Sequence, residues 1–339
     1  MGWYSAVGRR AFFALPPETS HRIAVALLGL RLPWRRIGGA ASDLRQAITL
    51  AGIPLRNPIG LAAGFDKSCA HLDALGSLGF GYVVGGTITH HPRGGSSKPR
   101  IARDRKTAAL VNSMGLPNAG AEAVARQLAR TSRTAPRLVS LADEQVEDVL
   151  AASALVEPLV DGLELNASSP NAGWQHRADH VAEILAALRP TTAKPIIVKL
   201  PRFEDEEVRE AALAMAIAAR DHGADALTCC NTRPVASPRL ATGRGGLSGK
   251  PLIERLPDIV RDVRVATGGR LPINASGGVF TAQDALVCIE AGATTVQIYT
   301  SLVFRGPGVV GELTRGLREL LVDRDSTVPA LVGTFKAAG

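Results

Sequence analysis

The residues able to do chemistry in this chain gather where apolar runs stop. In residues 163–173, LELNASSPNAG, a strand-like LEL passes without transition into Asn166, Ser168, Ser169, Pro170 and Asn171. Asn112, in VNSMG, and Asn231 with Thr232, in CCNT, stand at the ends of similar runs. One Asn at such a place is a cap or turn residue. Four carboxamides with Thr232 exceed what capping uses, and their donors and acceptors suit a flat heterocycle with amide edges. Lys67 and Lys199 add two cations with no carboxylate of comparable placement, so the expected ligand is anionic. Gly277-Gly278, in ASGG, and the hydroxyl-rich Tyr299-Thr300-Ser301 suit a phosphate held by backbone N–H groups. No metal-ligand spacing occurs. His90 and His91 are adjacent and would point to opposite sides of extended backbone, a loop pair rather than a metal site. No GxGxxG sits at a strand-to-helix turn, which weakens a nicotinamide reading. Residues 243–251, GRGGLSGKP, have the wrong spacing for a P-loop and follow no predicted strand.

Such positions need a scaffold that brings many strand ends to one rim. Past Gly52, apolar runs rich in β-branched residues recur at 59–63, 82–88, 137–141, 162–166, 195–200, 226–230, 272–275 and 294–299. Each is followed by helical periodicity, as in 204–222, where Val208, Ala211, Ala212, Met215 and Ala219 share a face. Continuous apolar strands imply a parallel sheet covered on both faces. Eight such units predict an α/β fold, a (β/α)8 TIM barrel over residues 49–325, with chemistry at the C-terminal strand ends. The run at 137–141 carries the weakest signal.

Residues 1–48 stand apart. They hold seven arginines (9, 10, 22, 31, 35, 36 and 45) against Glu18 and Asp43, which is +5 of the chain's net +8. They also hold Trp3, Tyr4, Phe12, Phe13 and Trp34, five of its 14 aromatic residues. The basic excess therefore belongs to this extension and not to a nucleic-acid-binding face. Two short helices are expected, the second opened by Pro16-Pro17, with RRIGGAASD as the linker into the barrel. They form either a helical cap on the rim or an amphipathic hairpin lying on a membrane surface. GRRAFFALPP has the arginine pair of an export signal, but Pro16, Pro17 and Glu18 end its apolar stretch at once. No apolar run approaches the roughly 20 residues of a spanning helix. Cys69, Cys229, Cys230 and Cys288 form no CxxC pair, so neither a zinc site nor a disulfide framework is suggested, and a reducing compartment fits. Residues 326–339 read as a C-terminal tail.

In order along the chain, ALPPETSHRIA, NPIGLAAGFDK, GFGYVVGGTIT, KPRIARD, NSMG, NASSPN, VKL, CCNT, GGLSGKPL, ASGGV and VQIYTSLVFRGP resemble the class 2, quinone-linked dihydroorotate dehydrogenases. The resemblance runs over nearly the whole chain. It implies an FMN-dependent barrel that oxidises (S)-dihydroorotate to orotate in de novo pyrimidine biosynthesis. It also implies a peripheral enzyme on the cytoplasmic side of the cell membrane, passing electrons to a membrane quinone through a funnel formed by the N-terminal helices. The family's orotate-contacting positions match Lys67, Asn112, Asn166, Asn171, Asn231 and Thr232. Its flavin-contacting positions match Ala63, Gly64, Thr87, Asn166, Lys199, Gly249, Gly277, Gly278, Tyr299 and Thr300. Arg103 and Tyr299 match positions near the inner end of the quinone funnel. The base position matches Ser169, where a cysteine would point to the soluble class 1 enzymes. Ser169 is thus expected to take the C5 proton while hydride leaves C6 for the flavin on the opposite face. Serine is a poor base at its free pKa, so water exclusion and a proton relay must assist it. Lys199 is expected to stabilise the anionic reduced flavin. No metal and no nucleic-acid partner are expected.

The chain departs from the family pattern around that base. Ser140 stands where the family has an Asn that contacts the flavin, and Ala172 where a Thr helps relay the proton. Leu116, followed by Pro117, replaces an aromatic shield; Ser113 replaces an Arg, and Cys230 a Thr. A working dihydroorotate dehydrogenase with substitute contacts accommodates these changes. So does a divergent FMN-binding paralogue that is slow or acts on a related dihydropyrimidine. A non-catalytic barrel accounts for them but leaves Ser169, Lys67 and the four asparagines unexplained.

Overall fold

The computed structural model describes residues 4, 8–30, 32–40, 43–169 and 177–335. Three short helices come first, α1 (Arg9–Ala14), α2 (Pro17–Leu28) and α3 (Trp34–Gly38). Pro17 occupies the first turn of α2, where a missing N–H costs nothing and its fixed φ suits the helix. The expected two helices are therefore three, because α3 forms inside the presumed linker and ends at Gly39, whose φ of 61° closes it in the left-handed region.

A hairpin follows, β1 (Ile48–Leu50) and β2 (Ile53–Leu55), turning through Ala51-Gly52, both at positive φ. It lies against Tyr82, Leu138, Ile197 and Ala226 and plugs the bottom of the barrel. The barrel itself starts with β3 (Ile59–Leu61), α4 (Leu72–Ser77) and β4 (Tyr82–Ile88). An insertion, β5 (Ile101–Asp104) and β6 (Ala109–Asn112), precedes α5 (Ala121–Leu128). Then come β7 (Arg137–Leu141), α6 (Val146–Val156), β8 (Gly162–Leu165), α7 (Ala178–Leu188), β9 (Ile196–Lys199), α8 (Glu206–Asp221) and β10 (Ala226–Cys229). A second insertion, β11 (Arg233–Ala236) and β12 (Arg244–Gly249), leads to α9 (Leu256–Ala266). The last units are β13 (Ile273–Ser276), α10 (Ala282–Ala291), β14 (Thr295–Ile298), α11 (Thr300–Arg305), α12 (Val309–Asp323) and α13 (Val328–Leu331).

The eight strands β3, β4, β7, β8, β9, β10, β13 and β14 close into a parallel barrel, β14 pairing back onto β3. All eight predicted strands are present, including the weakest at 137–141. Helix ends follow local chemistry. Asp205 caps α8 by accepting from Val208 N at 3.0 Å, and Thr281 and Asp284 form a reciprocal capping box on α10. Inside the barrel a polar layer takes the place of the usual branched apolar one. Tyr82 bonds Thr295, which donates to Asn274. Asn274 donates to Thr228, and Thr228 and Gln297 donate to Glu164.

The two insertions were not predicted. They pair as an antiparallel sheet in the order β11-β12-β6-β5 and roof the C-terminal end of the barrel. Residues 243–251 therefore follow a strand after all, and 244–249 are themselves β12.

Candidate active site

Strand ends of the barrel and the inserted sheet enclose a cavity of about 1130 Å³. Ser169, Lys67, Asn112, Asn166, Asn231, Thr232, Ala63, Gly64, Thr87, Lys199, Gly249, Gly277, Gly278, Tyr299 and Thr300 all line it. Asn171 and Ala172 lie outside the described residues. Arg103 does not line the cavity. It sits on β5, donates to the carbonyls of Phe12 and Leu15 and to Ser20 Oγ, and lies over the Phe13 ring, so it ties α1 and α2 to the roof.

One hydrogen-bonded chain crosses the wall. Ser140 Oγ and Thr87 Oγ1 are 3.0 Å apart, and Asn166 Nδ2 donates to Thr87 Oγ1 at 3.1 Å. Ser168 Oγ donates to Asn166 Oδ1 at 2.7 Å and accepts from Asn231 Nδ2 at 2.9 Å. The chain joins β7, β4, β8 and β10, and fixes which edge each carboxamide presents. Ser140 reaches the cavity only through Thr87. Ser168 is the hub that sequence reading passed over, since a hydroxyl beside a candidate base carries no separate mark. Ser169 is buried next to it.

The roof contributes glycine for steric reasons. A Cβ at Gly246 would lie 2.0 Å from Thr232 Oγ1, and Asn112 Nδ2 donates to Gly246 O at 3.4 Å. Below, Gly278 has φ +85°, and a Cβ there would sit 2.2 Å from Ile253 N, so only glycine lets this loop pack closely. Ser248 Oγ meets Thr300 Oγ1 at 2.9 Å. Two polar atoms of lining residues, Ser301 Oγ and Gln297 Oε1, are buried with no partner among the described residues. Such orphans mark where a bound group supplies the missing contacts.

The electrostatics favour an anion. Among the described residues no Asp or Glu lines the cavity, whereas Lys67, Lys199 and Arg244 do. Lys67 Nζ donates to Gly64 O at 3.0 Å. Burial, with repulsion from Arg100, pushes its pKa down to about 8, against the attraction of Asp66 and Glu18. His21 of α2 packs edge-on to Phe65, which packs edge-on to Tyr299, so the extension reaches the cavity wall. Burial and Lys67 push His21 down to about 4, while burial raises Tyr299 to about 12. Leu116, Ser113 and Cys230 line the cavity too, the thiol pushed up to about 11 by burial.

Outside the cavity, the expectation for His90 and His91 is corrected. The backbone bends after β4, so their rings lie together, centroids 4.3 Å apart, and His90 Nδ1 is 3.0 Å from Asp148 Oδ1.

Comparison with known proteins places the chain in a family. The sequence pattern of the family described as "Dihydroorotate dehydrogenase" matches residues 45–321. A "Dihydroorotate dehydrogenase (quinone)" of Chloroflexus aurantiacus is 36% identical over 335 residues, covering 88% of this chain and 91% of that protein. One of Anaeromyxobacter sp. is 37% identical over 351 residues, covering 96% and 95%. The dihydroorotate dehydrogenase of Eimeria tenella, solved in complex with ferulenol, superposes with a TM-score of 0.81 at 29% identity, over 94% of this chain and 95% of that one.

Proposed function

The chain belongs to the dihydroorotate dehydrogenase family, and on that premise we propose how its cavity performs the family's reaction. It oxidises dihydroorotate to orotate in pyrimidine biosynthesis, with a quinone as electron acceptor, and it is a flavoprotein. The flavin is FMN. The observation that carries this reading is a cavity, with no carboxylate among its described lining residues, where a chain of carboxamides and hydroxyls shares the wall with Lys67 and Lys199.

Asn112, Asn166, Asn171, Asn231 and Thr232 take the amide edges of the substrate ring, and Lys67 faces its carboxylate. Ser169 takes the C5 proton from one face, held in place by the strand end that carries it. Gly277, Gly278, Gly249, Tyr299 and Thr300 hold the phosphate end of FMN, and the orphaned Ser301 hydroxyl suits that end. Ala63, Gly64, Thr87, Asn166 and Lys199 hold its ring. When bound, the flavin supplies the acceptor for the hydride from C6. Lys199 offers positive charge where reduction leaves negative charge.

The extension places the enzyme on the cytoplasmic side of the cell membrane and admits the quinone beside Arg103 and Tyr299. In support, Ile23, Leu27 and Leu30 are exposed at helical spacing on and just after α2, with Leu15 and Leu32 also exposed. Among the described residues no helix is long and apolar enough to cross a membrane.

The test is anaerobic addition of L-dihydroorotate to the purified holoenzyme while oxidised-flavin absorbance is followed. Bleaching within seconds is the expected result. A flavin spectrum that stays unchanged would mean that the substitutions lining the cavity, Leu116 and Cys230, have moved the protein to another dihydropyrimidine or ended the chemistry.

A further inference from the structure

Arg9 and Arg10 have no part in the reaction above, yet the fold gives them a place. With Arg105, Phe13 and Phe304 they line a second cavity, of about 280 Å³. Its floor is aromatic: Phe13 and Phe304 are buried and meet edge to face, centroids 5.0 Å apart. Its walls come from three arginines. Arg105 is anchored by donating to Phe13 O and lies 5.6 Å from the Phe13 centroid. Among the described residues no carboxylate lines this cavity, and Arg9, Arg10 and Arg105 form no ion pair with an Asp or Glu. Three like charges gathered without a counter-charge repel one another, and an anion between them reverses the sign of that energy.

We propose that this cavity binds the phosphate of an anionic phospholipid headgroup. Guanidinium groups match phosphate oxygens in forked geometry, and three arginines lining one recess favour a phosphate over a single carboxylate. The Phe13–Phe304 floor offers carbon contacts that a glycerol backbone uses and a bare phosphate does not. Arg9, Arg10 and Phe13 belong to the same extension that exposes Leu15, Ile23, Leu27, Leu30 and Leu32. Lipid phosphates sit just above the depth such residues reach in a bilayer. The proposal rests on the membrane-surface reading of residues 1–48 and gives it a defined contact.

The experiment titrates the full-length holoenzyme calorimetrically with dihexanoylphosphatidylglycerol below its micelle concentration. Dihexanoylphosphatidylcholine and inorganic phosphate are run beside it. One saturable site for phosphatidylglycerol is expected, with both other probes weaker by about tenfold or more. Arg105→Gln and the double substitution Arg9→Gln/Arg10→Gln should each weaken it, by about fivefold per arginine removed. Arg35→Gln/Arg36→Gln, exposed on α3 outside the cavity, should leave it unchanged. The double substitution at Arg9 and Arg10 keeps the Arg105 anchor to α1, so its loss of binding is not a loss of fold. Equal affinity for inorganic phosphate overturns the lipid assignment, and equal loss in the α3 control shows diffuse attraction instead of a site. Sedimentation with neutral phosphatidylcholine vesicles separates the two readings. Vesicle binding without monomer binding removes the cavity proposal alone, and loss of both removes the membrane reading as well.

Discussion

Raising the pH should weaken the binding of orotate through one residue, Lys67. Its ammonium is held at the cavity wall by Gly64 O, and burial has already lowered its pKa to about 8. The group is therefore about nine-tenths protonated at pH 7 and about one-tenth at pH 9. An anion that binds against the ammonium must recover the proton first, so its affinity falls about tenfold over that interval, about 1.4 kcal/mol. The linkage sign in the ligand-free protein is consistent. An unfolded Lys67 binds more protons than the folded one between about 8 and its ordinary value near 10.5, so its unfavourable contribution to folding is full below about 8 and shrinks as pH rises through that window. Orotate binding is measured by calorimetry at pH 7, 8 and 9 in buffers of different ionisation enthalpy. At pH 8 about half a proton should be taken up per ligand bound. Lys67→Ala should bind weakly at every pH, with the slope gone. An affinity that is flat to pH 9, or no proton uptake at pH 8, would falsify the assignment of Lys67 to the ligand's charge.

Other perturbations read other parts of the site. Ser168→Ala removes the hub between Asn166 and Asn231, takes the donor from the buried Asn166 Oδ1 and leaves Asn231 Nδ2 only its longer contact to Ser168 O at 3.4 Å. It should cost about 1–3 kcal/mol of stability and raise KM for dihydroorotate; an unchanged KM would show that the chain does not orient the carboxamides. Gly278→Ala places a side chain at φ +85° against Ile253 N, so flavin retention on gel filtration and the Tm should fall together, the strain being about 1–3 kcal/mol. Ser169→Ala should keep the flavin bound and slow its reduction by at least about a hundredfold, and reduction at the original rate would assign the base elsewhere. His21, pushed down to about 4, is neutral when folded, while the unfolded group binds a proton below about 6.5. Stability is therefore lost as pH falls from about 6.5 to 4, and limited proteolysis should cut the extension faster at pH 5 than at pH 7.

The sequence by itself determined the barrel and most of its rim. Parallel strands buried on both faces leave apolar runs such as 82–86 and 196–198, and where such a run turns polar, as at Asn166, Lys199 and Asn231, the polar residue lines the cavity. Asn166, Lys199 and Asn231 were legible for that local reason. The roof was not. β11 is short with every second residue exposed, β12 is half glycine, and the partner of β12, β6, lies more than a hundred residues away, Asn112 meeting Gly246 at a separation of 134. No periodicity reports a pairing of that range. Similarly, adjacency alone suggested that His90 and His91 point apart, until the bend after β4 brought their rings together. Arg9, Arg10 and Arg105 belong to one cavity only because α1 folds back across the roof, with Arg103 and Arg105 holding its carbonyls. Strand burial and capping are written residue by residue, whereas enclosure and the gathering of like charge depend on which distant segments share a surface.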